Sequence, residues 1–360
     1  MNRRDFLKMG GLGALSLLAM GTMAGGEALA ASPNKGKSVQ AIKLPEGKKV
    51  DFHSHAILPS YVNGMKELGI DPVAEEGFPL PAWSVEGHLK FMAEADIDYS
   101  ILSLPTPHVY NGDVTLSRKV VRSINEEMAE LSRRYPDKFG FVAALPFPDV
   151  EGSLAEISYA MEKLGALGVK VASNSAGVYL GDSQLEEIFA ELSRRKALVI
   201  LHPSPARQLP KGNVVTGRVM ALFEYPADTT RAVLNLLASG TLARNPGIRL
   251  VVPHCGSFLP YMKSRAKAMF AMLSGMGMME RVDMEAEIGR LYFDLAGDPM
   301  PEEMDMLLAI TDEKHILYGS DYPYVPAPVL LKKKAALDMA LTSRGQMGQV
   351  YVRNAERLLQ

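Results

Sequence analysis

Cysteine is almost absent: Cys255 stands alone among 360 residues. That excludes an internal disulfide and any metal site built from several cysteines. A bound metal would have to rely on histidine and carboxylate. An excess of charge of one sign is lacking too. Lys and Arg number 39 against 41 Asp and Glu, for a net charge of -2. With no long basic run beside that balance, the composition argues against nucleic acid as a partner. No glycine-rich nucleotide loop follows the first strand-like segment. No internal repeat with a period of about 20–50 residues is visible. Tryptophan occurs once, as Trp83.

What is present begins with a short leader. Arg3 and Arg4 precede Phe6-Leu7-Lys8, an uncharged stretch runs from Met9 to Gly26, and Ala28-Leu29-Ala30 follows. A basic region, an apolar region and small residues at a cleavage point predict a signal peptide over residues 1–30. The paired arginines resemble a twin-arginine export signal, so the expected location is periplasmic or secreted, with the twin-arginine machinery as a partner. An uncleaved membrane anchor is the other reading. Gly10, Gly11, Gly13, Gly21, Gly25 and Gly26 make the stretch a poor membrane helix. Residues 31–47 read as a polar linker, and residues 48–360 as one domain.

From Lys48 onward, short apolar β-branched segments alternate with helical ones. Strands are expected at Val50–His55, Tyr99–Leu104, Phe139–Leu145, Gly168–Ala172, Leu198–His202, Ile248–His254, Leu291–Leu295 and His315–Ser320. Helices are expected at Val85–Ala95, Leu116–Tyr135, Leu154–Leu167, Gln184–Arg195, Thr229–Arg244, Leu259–Leu273, Glu302–Ile310, Ala327–Leu341 and Met347–Leu359. This alternation implies βαβ units and a parallel sheet. Eight such units imply a (β/α)8 barrel, with an open doubly wound sheet as the alternative. The Met- and Gly-rich segment Met269–Met284 reads as adaptable core filling, with a mobile lid or a partner surface as other readings.

Four of the seven histidines fall at the C-terminal ends of expected strands: His53 and His55 on the first, His202 on the fifth, His254 on the sixth. Asp321 lies just past the eighth. Active sites of (β/α)8 barrels form at that end. Side chains alternate along a strand with period two, so His53 and His55 point the same way. Two imidazoles side by side in an apolar strand suit one divalent metal, with His202 and Asp321 completing the set. Imidazole–carboxylate sets suit zinc, manganese or iron, with zinc the first expectation.

Other residues carry weaker expectations. His108, after the second strand, and Trp83, in the loop region after the first, are candidates for lining the substrate pocket, or else ordinary loop residues. His88 and His315 read as structural. Cys255 reads as a small filler beside His254. Lys170 lies on the fourth strand, where a carboxylated lysine would hold a second metal, although one metal is expected. Asp294 and Glu224 are expected to orient neighbours, since metal-bound imidazoles usually have an outer partner.

Several ordered stretches resemble the amidohydrolase-related family: Val50-Asp51-Phe52-His53-Ser54-His55, Leu201-His202-Pro203, Pro253-His254-Cys255-Gly256, Leu291-Tyr292-Phe293-Asp294, Tyr318-Gly319-Ser320-Asp321-Tyr322-Pro323 and Asn354-Ala355-Glu356-Arg357-Leu358-Leu359. Within it the chain is similar to the branch of aminocarboxymuconate-semialdehyde, γ-resorcylate and 6-methylsalicylate decarboxylases, from about residue 48 onward. Pro79–Ser84, Gly177–Asp182 and Asp228–Val233 point to the 6-methylsalicylate-decarboxylase-like subgroup. The resemblance implies one metal on His53, His55, His202 and Asp321, and a proton-transfer or metal-proximal role for His254. It also implies that Arg265 serves a neighbouring subunit's site by holding a substrate carboxylate, and hence a homodimer. Where the family usually has a second glycine after Gly256, this chain has Ser257.

Two reactions fit. The first is non-oxidative decarboxylation of an aromatic or unsaturated carboxylic acid, with His254 and Asp321 as the catalytic pair. The second is hydrolysis of a lactone, amide or related ester by a metal-activated water. A non-catalytic binding barrel is the third reading.

Overall fold

The computed structural model describes residues 46–209 and 219–359. The expected signal peptide and nearly all of the linker lie outside the described residues. Eight parallel strands follow one another around a barrel: β1 (Val50–His55), β2 (Tyr99–Ser103), β3 (Phe139–Ala143), β4 (Gly168–Ala172), β5 (Leu198–His202), β6 (Arg249–Val252), β7 (Tyr292–Asp294) and β8 (Ile316–Leu317). The seam between β8 and β1 is closed by backbone hydrogen bonds, Phe52 N to Tyr318 O at 2.9 Å and His55 N to Tyr322 O at 2.8 Å. The architecture is the expected (β/α)8 barrel.

Alternation along the strands separates two apolar layers. Val50, Phe52, Tyr99, Ile101, Val142, Leu198, Ile200, Val251 and Leu317 fill the lower lumen, with Ala355 and Leu358 of the last helix packed on them. Residues of opposite parity, such as Val169, Val171, Val199 and Leu201, face the helical layer. The first strand departs from this rule, because Phe52 and His53 both serve the interior. A β-bulge resolves it. Asp51 pairs with Ser100 but Ser54 pairs with Leu102, so β1 carries one extra residue between them. One extra residue flips the facing of everything beyond it. The lower half of β1 therefore feeds the apolar plug, and the upper half feeds the site.

The Asp51 carboxylate holds that bulge. It accepts from His53 N (3.0 Å), Ser320 N (3.1 Å) and Ser320 Oγ (2.6 Å), tying β1 to the turn that carries Asp321. Gly319 lies against the same place. A Cβ there would come within 2.7 Å of His53 Cβ, so only glycine allows this approach.

Several helices differ from expectation in their bounds. The segment expected at Thr229–Arg244 is Glu224–Ala238 followed, after Gly240 at φ 70°, by Thr241–Arg244. Short helices at Pro59–Leu68, Pro72–Glu76 and Met284–Gly289 were not anticipated. Pro59–Leu68 and Pro72–Glu76 lie in the connection after β1, and Met284–Gly289 lies in the one before β7. The Met-rich segment is not core filling: Met269, Met272, Met276 and Met278 are exposed, and Met284 is buried.

Candidate metal centre

Four side chains converge at the upper end of the barrel. β1 supplies His53 and His55, β5 ends on His202, and Asp321 follows β8. One ligand atom from each lies within 4.8 Å of all the others. Two ligands of one ion at about 2.0–2.2 Å each stand at most about 4.4 Å apart, so the set is a few tenths of an ångström from closing on a metal. Each imidazole is turned by an outer partner. His53 Nδ1 donates to Asp294 Oδ2 at 2.9 Å. His55 Nδ1 donates to Ser103 Oγ at 2.9 Å, and that hydroxyl donates to the Ser54 carbonyl. His202 Nδ1 donates to the Pro203 carbonyl at 3.1 Å. With Nδ1 engaged in all three rings, Nε2 is the atom left to face a metal, and His55 Nε2 lies 3.2 Å from Asp321 Oδ1. His53 Nε2 is fully buried with no hydrogen-bond partner. That is costly for a polar atom unless a cation takes the lone pair.

The field at this point calls for positive charge. Burial disfavours a charged His53 ring, yet Asp294, Asp321 and Asp51 outweigh it and lift the pKa to about 9. Burial holds His55 down to about 4, and burial together with Lys170 keeps His202 well below its ordinary value. Burial would raise the Asp321 carboxyl, but the His254, His55 and His53 rings hold it well below the usual carboxylate range. A metal needs neutral imidazoles and an ionised carboxylate, so a bound cation would take the place of the proton that Asp294, Asp321 and Asp51 hold on His53. The residues present fit a single divalent ion.

His254 stands beside this set. Its ring centroid is 5.0 Å from that of His53, and its Nε2 is 3.9 Å from Asp321 Oδ2. Its side chain is 21% exposed, so it faces the opening. Its backbone N–H donates to Asp294 Oδ1 at 3.1 Å, so one carboxylate positions both His53 and His254. The turn it heads is strained: His254, Cys255 and Ser257 all have φ between 52° and 55°. Asp321 has φ 61°. Left-handed backbone at non-glycine residues is characteristic of functional sites.

The family model for amidohydrolases matches residues 50–360. The chain belongs to the amidohydrolase family. A decarboxylase of Aspergillus niger is 32% identical over 302 residues, covering 79% of each chain. The 6-methylsalicylic acid decarboxylase of Penicillium expansum is 31% identical over 288 residues, covering 79% of this chain and 87% of that one. A crystal structure of an amidohydrolase II superposes with a TM-score of 0.78 at 34% identity, covering 86% of this chain and 99% of the other.

The other expected site residues of this amidohydrolase take varied places. His108 is buried. It lines a cleft of about 410 Å³ together with Pro107, Tyr110, Asn174, Ser204 and Arg207. Trp83 lies apart from that cleft, with its indole N–H donating to His88 Nδ1 at 3.2 Å. His88 is fully buried, as a structural residue would be. Arg265 is exposed on the helix Leu259–Gly275. Glu224 only opens the helix Glu224–Ala238, and no histidine hydrogen-bonds to it among the described residues. Cys255 is buried, and burial pushes its thiol well above the ordinary range, which suits a filler. His315 pairs with Asp312 at the foot of the barrel.

Three supporting residues were not singled out from the sequence. Ser103 orients His55, Asp51 anchors the bulge, and Tyr324 packs edge-on to His55 at 5.5 Å while donating to the Thr106 carbonyl. Ser103 and Asp51 lie on the strands that carry or flank the ligands, Ser103 directly opposite His55.

Proposed function

We propose that this amidohydrolase is a metal-dependent decarboxylase that removes CO2 from an aromatic carboxylic acid without an oxidant. The observation that carries the reading is the His53, His55, His202 and Asp321 set, with His254 poised over Asp321, in a chain more than 30% identical to decarboxylases. Losing CO2 directly from an sp2 carbon would leave an electron pair with no orbital to receive it. Protonating that carbon first creates the electron sink, and the ring regains its unsaturation as the C–C bond breaks. The metal, when bound, supplies positive charge that holds the substrate carboxylate and an adjacent hydroxyl. His254 and Asp321 are the proton-carrying pair, placed at the opening where substrate enters. Zinc is the ion we assign, on the three-imidazole, one-carboxylate donor set.

The test is a panel of hydroxybenzoates, lactones and amides offered to metal-loaded protein, with CO2 and acid release measured separately. CO2 from at least one hydroxybenzoate is expected. Acid release from a lactone or amide, with no CO2 from any compound, would replace this reading with hydrolysis.

We further propose a homodimer in which Arg265 reaches the partner's pocket. Arg265 lies on a helix whose neighbouring surface exposes Tyr261, Met269, Met272, Met276 and Met278, an apolar patch of the kind that marks an interface. A guanidinium grips a carboxylate with two parallel hydrogen bonds. Mixing Arg265→Ala with His254→Ala subunits is expected to restore part of the activity, because each hybrid dimer regains one intact site. Demonstrated hybrids with no recovery would refute action across the interface.

Export by the twin-arginine route is proposed on the leader Arg3-Arg4 and the Ala28-Leu29-Ala30 cleavage pattern. Changing both arginines to lysine should retain precursor in the cytoplasm. Mature protein still reaching the periplasm would refute the assignment.

A further inference from the structure

Two of the stretches that point to the subgroup, Gly177–Asp182 and Asp228–Val233, supply no metal ligand. The fold brings them together around one buried carboxylate. Asp228, on the helix Glu224–Ala238, is 0% exposed. Its Oδ2 accepts from Ser173 Oγ and from Asn174 Nδ2, the latter at 2.9 Å. Its Oδ1 accepts from the Tyr179 hydroxyl and from Arg231 Nη1, each at 2.5 Å. Four donors thus share one side chain, and a carboxylate has acceptor sites for all of them.

The two inner donors, both buried, carry the hold further. Ser173 Oγ accepts from Ser204 N at 2.9 Å. Asn174 Nδ2 also donates to the Pro205 carbonyl at 3.1 Å, and its Oδ1 accepts from Gly177 N at 3.2 Å. Asp228 therefore ties the connection after β4 to the connection after β5. Those two connections form one wall of the 410 Å³ cleft, through Asn174, Ser175, Ser204, Pro205, Ala206 and Arg207. Asp228 stands behind that wall, outside the cleft. The connections leave the barrel beside a metal ligand: Ala172 ladders opposite His202, and Ser173 N donates to the His202 carbonyl at 2.9 Å. Two residues along the helix, Thr230 Oγ1 accepts from Phe258 N at 3.0 Å, just past the turn that begins at His254.

We propose that Asp228 is a positioning residue for the reaction: through Ser173 and Asn174 it fixes one wall of the cleft and so sets where a bound substrate lies relative to the metal. It touches neither the substrate nor the metal ligands and acts only through the two connections it ties. An apolar side chain of similar size would fill the space but leave the inner donors without an acceptor in a buried place, which favours a shifted wall. The barrel strands and the four ligand residues keep their own hydrogen bonds, so the metal set stays. The substrate part of this proposal rests on the decarboxylase reading above.

The test compares zinc-loaded, full-length wild type, Asp228→Leu and Ser173→Ala. Deuterium uptake is followed by mass spectrometry in residues 173–179 and 203–209. KM and kcat per bound zinc are measured with the hydroxybenzoate that releases CO2 fastest. In Asp228→Leu, exchange in both segments and KM should each rise about tenfold, the scale of one hydrogen bond to a charged group. Residues 50–55 should exchange as in wild type, and zinc should stay at one ion per chain. Ser173→Ala removes one link of the tie and should move exchange and KM the same way by less. A purely structural role would lower the yield of folded, zinc-loaded protein and leave KM per loaded site alone. Unchanged KM in both variants, or exchange that rises equally throughout the barrel, overturns the proposal. If Asp228→Leu does not fold, Ser173→Ala decides by the same two measurements. If no compound gives CO2, the decarboxylase reading fails separately, and unchanged exchange in the two segments still overturns the tie.

Discussion

His53→Ala is expected to leave the purified protein with little bound metal and no measurable turnover. The ring is the hub of the centre: Asp294 fixes it from behind, and its unpartnered Nε2 faces His55, His202 and Asp321. One lost imidazole leaves three donors, too few to close a four-ligand shell. The substitution also strands Asp294, a fully buried carboxylate that would keep only backbone donors from His254 and Ala296. Leaving a buried charge without its partner costs about 3–5 kcal/mol, so the melting temperature should fall below that of wild-type protein stripped by a chelator. Asp294→Asn should act in the same direction but more mildly, lowering metal affinity by about 10–100-fold, as outer-partner changes do. Elemental analysis and thermal melts measure both. A His53→Ala protein that keeps one ion per chain at wild-type affinity would disprove the ligand assignment.

His254→Gln is expected to separate chemistry from metal binding. Glutamine fills much of the same space but cannot carry a proton at neutral pH. His254 is not among the four clustered ligand residues, and its nearest approach to Asp321 is 3.9 Å. Metal content should therefore stay at one ion per chain. Turnover should fall by about 10²–10⁴-fold, the usual contribution of a general acid–base group. KM should change little, because the residue bears on the proton and not on the grip. Loss of metal as complete as in His53→Ala would make His254 a ligand. Unchanged turnover would leave Asp321 as the sole proton carrier.

Much of this protein was legible from sequence because the relevant signals are local. A strand of period two places His53 and His55 on one side wherever the strand lies. Strand-to-helix alternation repeated eight times permits few arrangements besides a closed parallel barrel. In such a barrel, His202, His254 and Asp321 at strand ends must meet at one mouth. Fold and ligand set follow from order and parity, without any knowledge of packing.

What only the tertiary structure decided lies between segments far apart in the chain. Asp51 and Ser320 are 269 residues apart, and His53 and Asp294 are 241 apart. Contacts of that kind leave no periodic trace in a single sequence. The bulge in β1 depends on its register with β2, which hydrophobic alternation does not encode. Exposure of the Met-rich helix depends on whether another element covers it, and none of the described elements does.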